Sequence, residues 1–367
     1  MTRTVFSGGR IFDGTAALPT ADVAVEAGRI VAVGPRLDGD QHVDVAGRTI
    51  LPGLFDCHVH LAFEPADLDT MVSLQRPFSY RFYVAIGNMR ATLDTGITTV
   101  RDAGYMDLGM KQAIEDGLVA GPRAQIAVNM ISQTGGHGDG WMVSGYDIGQ
   151  LAYPGLPSGM VDSEDGMRLR VRELVRAGAD VIKVFTTGGV LSPRDDPRHA
   201  HFSDGELAVL VEEATRAHRF VMAHAQGAPG IKSAVRAGIR SIDHGIYLDD
   251  EGIALMLAHG TWLVPTLVAA RGVVEAADAG ANLLEAQVRK AREVVEVHRA
   301  AFRRAVAAGV KVAMGTDSGV TTHGQNLREL ELMAEDGMPP VDVLLATTRS
   351  AAELMGLEDE LGSLEPG

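Results

Sequence analysis

The sequence contains little cysteine and little lysine, and it lacks any long apolar segment. Its 367 residues include a single cysteine, Cys57, which cannot form an intramolecular disulfide and suits a reducing cytoplasm. No apolar run reaches the roughly 18 residues of a membrane span, and the N-terminal segment has no apolar signal core. We therefore expect a cytoplasmic protein, and the sequence excludes a disulfide scaffold and a membrane-spanning protein.

Basic residues are fewer than acidic residues. The chain has 33 Lys+Arg against 48 Asp+Glu, a formal net charge of −15, and only five of the basic residues are lysines. An acidic chain without basic clusters predicts no nucleic acid partner and no binding to an anionic membrane. The hydrophobic fraction of 46% supports a sizeable core. The length fits one large domain with a small appendage, or two ordinary domains.

The pattern of apolar residues changes near residue 50. Residues 1–50 carry short β-branched runs separated by Gly, Asp and Pro, which predicts a small β-sandwich part. From residue 51 to 356, short apolar strands alternate with amphipathic stretches, as in the βα units of a parallel sheet. Eight such units predict an α/β fold, a TIM (β/α)8 barrel. The predicted strands are 54–60, 98–102, 124–129, 181–185, 220–225, 241–244, 261–266 and 310–317.

Histidine and aspartate recur at the C-terminal ends of these strands, where barrel enzymes carry their active sites. His58 and His60 close the first strand, and the two-residue period directs both imidazoles to the same side. Similar residues end the fifth, sixth and eighth strands: His224, His244 and Asp317. Each of these alone could be a core histidine, a loop histidine or a capping aspartate.

Lys183 lies in the fourth predicted strand with apolar residues on both sides. It could extend to solvent or pair with a carboxylate. Burial could instead keep its amine neutral, as a nucleophile or as a carbamate formed with carbon dioxide. Four histidines, one buried lysine and one aspartate at the ends of barrel strands together favour a hydrolytic metal site.

This pattern resembles the amidohydrolase superfamily, in the subtype whose binuclear metal centre is bridged by a carboxylated lysine. The resemblance covers nearly the whole chain and rests on the motifs at residues 9–14, 51–60 and 315–319 and on His323 through Glu329. Residues 132–139 resemble the prolidase-like group most specifically. That group contains Xaa-Pro dipeptidases, Xaa-Arg/Lys carboxypeptidases and ochratoxin-hydrolysing amidases.

The resemblance implies two divalent metal ions, usually zinc in this family, and six metal ligands in this sequence. Asp317 would also act as the catalytic base and then as the acid. The more buried ion would be bound by His58, His60 and Asp317, the second ion by His224 and His244, and both would be bridged by N6-carboxylysine at Lys183.

Other polar residues near the strand ends are weaker candidates. His199 and His201 are expected to be solvated, the acidic and basic residues of 284–304 to form a solvated helix face, and His298 is given no role. Three residues are predicted to bind substrate: His137, Tyr247 and His323. The alternatives are an ordinary loop residue for His137, an ordinary surface residue for Tyr247, and for His323 a residue that orients the groups supporting the metal ligands.

The leading functional prediction is a metal-dependent amidohydrolase in which a metal-bridging hydroxide cleaves the amide bond of a dipeptide or an N-acyl amino acid, as in an Xaa-Pro dipeptidase. One alternative is hydrolysis of a cyclic amide, a lactone or another non-peptide amide, as in imidazolonepropionase. Another is a non-catalytic barrel scaffold. The predicted partner is a small-molecule substrate, and relatives often form symmetric assemblies, so a homo-oligomer is expected.

In the resembling family, the chain continues beyond the equivalent of residues 362–367 into strands that complete the β-sandwich. Residues 357–367 are therefore predicted to be a stub that returns to this part, with its C-terminal strands missing. An incomplete sheet would leave an exposed edge.

Overall fold

The N-terminal segment of the computed structural model forms one five-stranded mixed sheet. β1 (Arg3–Phe12) pairs antiparallel with β2 (Ala17–Glu26), and β2 pairs antiparallel with β3 (Arg29–Gly34). β4 (Gln41–Asp44) and β5 (Thr49–Ile50) both run parallel to β1. The structure describes residues 2–65, 70–142, 144–145, 147–148, 153, 155–192 and 194–367.

The last residues of the sequence pack against this N-terminal sheet. The Leu364 amide donates a hydrogen bond to the Asp13 carbonyl at 2.9 Å, and its side chain packs with Ile11 and Val23. Gly14, at φ +94°, approaches this segment so closely that a Cβ would lie 2.4 Å from the Gly362 carbonyl oxygen. Residues 357–367 contain no strand, and their contacts tie the end of the chain to the sheet.

The remainder of the chain builds a TIM barrel. Its parallel strands form two groups, in the orders β6-β7-β8 and β9-β10-β11-β12-β13. The Asp180 amide, just before β10, donates to the Ile126 carbonyl of β8 at 2.8 Å. On the other side, the segment 310–317 lies between the groups, since Cys57 of β6 donates to the Met314 carbonyl and Leu263 of β13 to the Lys311 carbonyl, both at 2.8 Å. The strands are β6 (Leu54–Val59), β7 (Ile97–Asp102), β8 (Arg123–Ile126), β9 (Met130–Ile131), β10 (Val181–Phe185), β11 (Phe220–Ala225), β12 (Ser241–His244) and β13 (Trp262–Val264).

Helices lie between and after these strands. No helix within the described residues is long and apolar enough to cross a membrane. The helices are α1 (Thr70–Gln75), α2 (Tyr80–Asp94), α3 (Leu108–Glu115), α4 (Glu164–Arg176), α5 (Asp204–Arg216), α6 (Ala228–Ala237), α7 (Asp250–His259), α8 (Leu267–Asp278), α9 (Glu285–Ala308), α10 (Arg328–Glu335), α11 (Pro340–Ala346) and α12 (Arg349–Met355).

Two predicted strands differ from the observed ones. The predicted strand 124–129 is split, because Val128 adopts a left-handed backbone with φ +65° between β8 and β9. The predicted strand 310–317 is not a regular strand. It makes only isolated bridges, from Val312 to Leu263 and from Ser318 to Val59, and Asp317 also has a left-handed φ of +60°. In both places, a left-handed residue interrupts the strand ladder near the carboxyl ends of the barrel strands.

A separate apolar cluster covers one side of the strand ends. Val190 and Ile246 lie in the segments after β10 and β12, Ala270 and Val273 lie on α8, and Val294 lies on α9. All of these residues are buried, and they belong to a different cluster from the main core between the strands and helices. This arrangement gives the C-terminal face of the barrel an apolar wall.

Candidate active site

The predicted ligand residues converge at the C-terminal ends of the barrel strands. Asp317 Oδ1 lies 3.3 Å from His60 Nε2 and 3.5 Å from His58 Nε2. Lys183 Nζ lies 3.5 Å from His58 Nε2. His58, His244 and Asp317 each offer one ligand atom, and these atoms all lie within 4.8 Å of one another. This group can hold a metal ion.

His224 and His244 extend the cluster beyond His58. Their ring centroids are 4.5 Å apart, and the His244 ring lies 5.1 Å from that of His58. Burial and neighbouring positive groups lower the pKa values of His224 and His244 well below the usual range. Neutral imidazoles are the form that binds a metal ion.

The backbone is strained where several of these side chains begin. His244, Thr266 and Asp317 have φ values of +77°, +53° and +60°. A left-handed conformation costs a residue other than glycine about 1–3 kcal/mol and persists where the surrounding structure holds it in place. Three such residues around one cavity identify this end of the barrel as a functional site.

Each of the four clustered histidines has one ring nitrogen hydrogen-bonded to another protein group, and in His58 and His60 the second nitrogen faces Asp317. Metal-binding histidines are typically oriented in this way, by a carboxylate, a carbonyl or a similar acceptor. The donor set therefore fits metal ions. The four contacts are His58 Nδ1 to Asp243 Oδ2 at 2.8 Å, His60 Nδ1 to Gly104 O at 3.2 Å, His224 Nε2 to Gly188 O at 3.1 Å and His244 Nδ1 to Thr266 Oγ1 at 2.7 Å.

Lys183 is almost fully buried, with 1% of its surface exposed. Burial lowers the pKa of its amine to about 8, although Asp243 and Asp317 act in the opposite direction. The alternative of a simple ion pair is weak, because Asp243 Oδ2 is 3.9 Å from the amine but 2.8 Å from His58 Nδ1. A lysine with a lowered pKa can supply the neutral amine that carboxylation requires.

Asp243 and Arg101 form a buried support beneath the cluster that the sequence analysis did not identify. Arg101 contacts Asp243 Oδ1 at 3.2 Å and donates to the Cys57 carbonyl at 2.7 Å. Burial opposes ionisation, but Arg101 and His58 hold the pKa of Asp243 well below its usual range. A sequence signal existed, since Asp243 is a charged residue within the fully buried strand β12.

A cavity of about 270 Å³ opens over the cluster. Val190, Ile246 and Val273 belong to its apolar wall, and His137 and Gln226 line it with polar groups. Among the described lining residues there is no arginine, and Lys183 is the only lysine. The cavity therefore combines the ligand cluster with an apolar surface and a few neutral polar groups.

The structure places only one of the three predicted substrate-binding residues in this cavity. His137 lines it, and the His137 ring stacks on His224 with centroids 4.3 Å apart. Tyr247 packs against the apolar cluster and does not line the cavity. His323 lies behind His60, with Nε2 3.2 Å from the carbonyl oxygens of His60 and Phe63. Neither Tyr247 nor His323 is among the described residues that line the cavity, and the contact of His323 with the His60 carbonyl agrees with its alternative role of supporting a metal ligand.

Two other histidines differ from expectation. His201 is only 4% exposed instead of solvated, and its Nδ1 has no hydrogen-bond partner among the residues that the structure describes. His298, on α9, was given no role, yet it is buried and lines the cavity. Its Nε2 lies 2.8 Å from the His244 carbonyl oxygen, so it supports a residue of the cluster. Helix periodicity could have indicated that its face of α9 is partly buried.

Comparisons with known proteins identify the family. The family described as "Amidohydrolase family" matches residues 49–367. Ochratoxinase of Aspergillus niger is 35% identical over 334 residues, which cover 87% of this chain and 68% of that protein. The crystal structure of an Xaa-Pro dipeptidase with bound methionine in the active site is 33% identical with a TM-score of 0.90, and the match covers 100% of this chain and 92% of that one. A prolidase complexed with N-methylphosphonate-L-proline is 34% identical with a TM-score of 0.90, covering 100% and 90% of the two chains. This chain therefore belongs to the amidohydrolase family and is a hydrolase that acts on amide bonds.

Proposed function

We propose that this chain is a binuclear metal hydrolase that cleaves the amide bond of a dipeptide or an N-acyl amino acid. The observation that carries the proposal is the cluster of four histidines, each with one ring nitrogen fixed by a protein partner, beside a buried lysine and an aspartate. We assign one ion to His58, His60 and Asp317, the other to His224 and His244, and a bridging carboxylate to Lys183.

Two divalent ions, which we propose to be zinc, would supply an acidified water and a polarised carbonyl when bound. Residues of the chain itself then transfer the protons. Asp317 lies between His58 and His60, at 3.5 and 3.3 Å, where its carboxylate can accept the proton of the attacking water. The same carboxyl group then protonates the leaving nitrogen.

The cavity wall supports an apolar substrate group. Val190, Ile246 and Val273 offer a surface that would bury such a group by the hydrophobic effect. A basic substrate side chain would find few acidic partners, because Asp139 and Asp317 are the only acidic residues among the described lining residues. The ochratoxinase and Xaa-Pro dipeptidase relatives support an amide substrate of this kind.

A substrate panel tests the proposal directly. The purified protein, with its metal content measured, is assayed against Xaa-Pro, Xaa-Arg, Xaa-Lys and N-acyl-Phe compounds, together with a lactone and a cyclic amide. We expect faster hydrolysis of Xaa-Pro or N-acyl-Phe than of the basic peptides. Turnover of the lactone or cyclic amide alone would contradict the substrate class. Well under one metal ion per chain, with no activity after addition of zinc or manganese, would contradict a metal hydrolase.

Replacing Asp243 with asparagine is expected to weaken metal binding. Asparagine can keep an oxygen towards Arg101, but it then presents an amide N–H to His58 Nδ1, where Asp243 Oδ2 is now 2.8 Å away. The His58 ring then loses the acceptor that orients it. Loss of such a support typically costs about 10–100-fold in metal affinity. The affinity is measured by competition with a chelator.

Asp359→Asn serves as a control for this measurement, because Asp359 is exposed and lies outside the cavity. We expect Asp359→Asn to retain metal like the unmodified protein. Equal chelator resistance in Asp243→Asn would show that Asp243 does not orient a metal ligand.

A further inference from the structure

His137 is held in place by residues that do not belong to the ligand cluster. Its Nδ1 lies 2.7 Å from Ser192 Oγ, and Ser192 Oγ donates in turn to Asp195 Oδ1. Asp195 Oδ2 lies 3.6 Å from His137 Nδ1. Since the Ser192 hydroxyl proton is given to Asp195, its oxygen can accept a hydrogen bond from Nδ1. This arrangement leaves Nε2 as the ring nitrogen free for another partner.

The loop that carries Ser192 and Asp195 is fixed to helix α9 by a buried lysine. Lys290 Nζ donates to the carbonyl oxygens of Gly189 at 2.6 Å, of Ser192 at 2.5 Å and of Asp195 at 3.2 Å. Asp195 Oδ2 also accepts from the Gly189 amide at 3.1 Å. Burying a lysine is costly unless its donors are satisfied, and here three carbonyl oxygens satisfy them. Lys290 therefore holds the loop in one conformation.

The same loop shapes the space around the His137 ring. A Cβ at Gly189 would lie 2.1 Å from Cε1 and 2.4 Å from Nδ1 of His137, so the imidazole occupies the space that a side chain would need. The ring also contacts His224, by stacking, and Phe185, edge to face at a centroid distance of 4.9 Å. These contacts allow His137 little freedom to rotate.

We propose that Ser192, Asp195 and Lys290 form a positioning assembly that orients His137 for contact with the substrate through Nε2. This inference rests on the proposed amide hydrolysis, because His137 lines the same cavity. Ser192 and Asp195 fix the ring through Nδ1, and Lys290 fixes the loop that carries them. Ser192 also lines the cavity, but we assign all three a positioning role that acts through His137.

A double-mutant cycle tests the assembly. Ser192→Ala, Asp195→Asn and Lys290→Met are each made in the native chain and in the His137→Ala background, and kcat and KM are measured on the preferred substrate of the panel. In the native background we expect each to lower kcat/KM by about 10–100-fold, the range for residues that support an active-site side chain. The parameter affected, kcat or KM, should be the one that His137→Ala affects. In the His137→Ala background the further loss should be less than about twofold, because coupled residues are not additive.

Two further variants, a conservative replacement and a control, accompany the double-mutant cycle. Ser192→Thr keeps the hydroxyl and should recover most of the activity lost in Ser192→Ala. Asp196→Asn is the matched control, because Asp196 is the next carboxylate in the loop and pairs with Arg198 instead of His137. It should keep full activity. If Ser192→Ala and Asp195→Asn cause equal losses with and without His137, or if His137→Ala has no effect, the inference is wrong.

A spectroscopic measurement separates this inference from the proposed function. In protein labelled with 15N-histidine, we expect His137 to show a protonated Nδ1 in the native chain and a changed Nδ1 signal in Ser192→Ala. An unchanged His137 signal would overturn the assembly even if the enzyme is active. If the metal-loaded protein hydrolyses no amide of the panel, the proposed function fails, and the 15N signals still decide whether Ser192 orients His137.

Discussion

Replacing Lys183 with alanine should reduce amide hydrolysis by more than about 100-fold, because residues that only support a metal ligand already cost about 10–100-fold. Lys183 Nζ lies 3.5 Å from His58 Nε2, and Lys183 is the only lysine among the described residues of the cavity lining. Its removal would leave the bridging position between the two proposed ions without a ligand. The measurement is kcat/KM together with the metal content of the purified variant.

Small carboxylates provide a specific test of the bridging role. Formate or propionate can enter the space left by the Lys183 side chain and replace the missing carboxylate, so we expect partial recovery of activity in Lys183→Ala. Lys311→Ala is the matched control, because Lys311 is half exposed and pairs with Glu353. It should keep native activity and show no response to formate. Full activity in Lys183→Ala would rule out the bridging role.

Asp317→Asn should lower kcat by about 10²–10⁴-fold, the usual contribution of a general acid–base residue. Asparagine has almost the same shape, but it cannot accept the proton of the attacking water or return one to the leaving nitrogen. The burial of Asp317 would raise the pKa of the carboxyl group, but the neighbouring His58 and His60 hold it well below its usual range. The carboxylate is therefore ionised and ready to accept a proton. Single-turnover rates at saturating metal separate this effect from metal loss.

Asp336→Asn is a suitable control for the Asp317 variant. Asp336 is also buried, lies outside the cavity lining and accepts hydrogen bonds from Arg299 at 3.0 Å. Loss of this partner should lower the free energy of unfolding while leaving kcat unchanged. If Asp317→Asn retained native kcat with both metals bound, another residue would have to transfer the proton.

Periodicity predicted the barrel because local and tertiary preferences agree along most of the strands. Runs such as Val181–Phe185 are apolar except for Lys183, as is typical of strands covered on both faces, so their positions could be read directly. The irregular backbone at Val128 and Asp317 could not be read from the sequence, because the left-handed conformation of these residues is imposed by surrounding contacts. The Asp317 amide, for example, donates to the His58 carbonyl at 2.7 Å from a remote part of the chain.

The predicted ligands share one simple property: each histidine and the aspartate stand at or near the C-terminal end of a predicted strand, and Lys183 interrupts an apolar one. Their supporting partners do not follow such a rule. Asp243 contacts His58, which belongs to a strand on another part of the barrel, and His298 reaches the His244 carbonyl from helix α9. Such pairs are set by the closure of the barrel and not by spacing along the chain. The same reason explains why Tyr247 and His323 were expected at the cavity, although neither is among its described lining residues.

The contact between the Leu364 amide and the Asp13 carbonyl affects the order of folding during translation. Asp13 leaves the ribosome early, but its partner is added only after the whole barrel has been made. At a synthesis rate of about 5–20 residues per second, this interval is about 20–70 s. During that time, the edge of the N-terminal sheet where residues 362–367 later pack is uncovered, and an uncovered sheet edge can pair with other chains. Slow translation at high expression levels should therefore favour aggregation through residues 3–34.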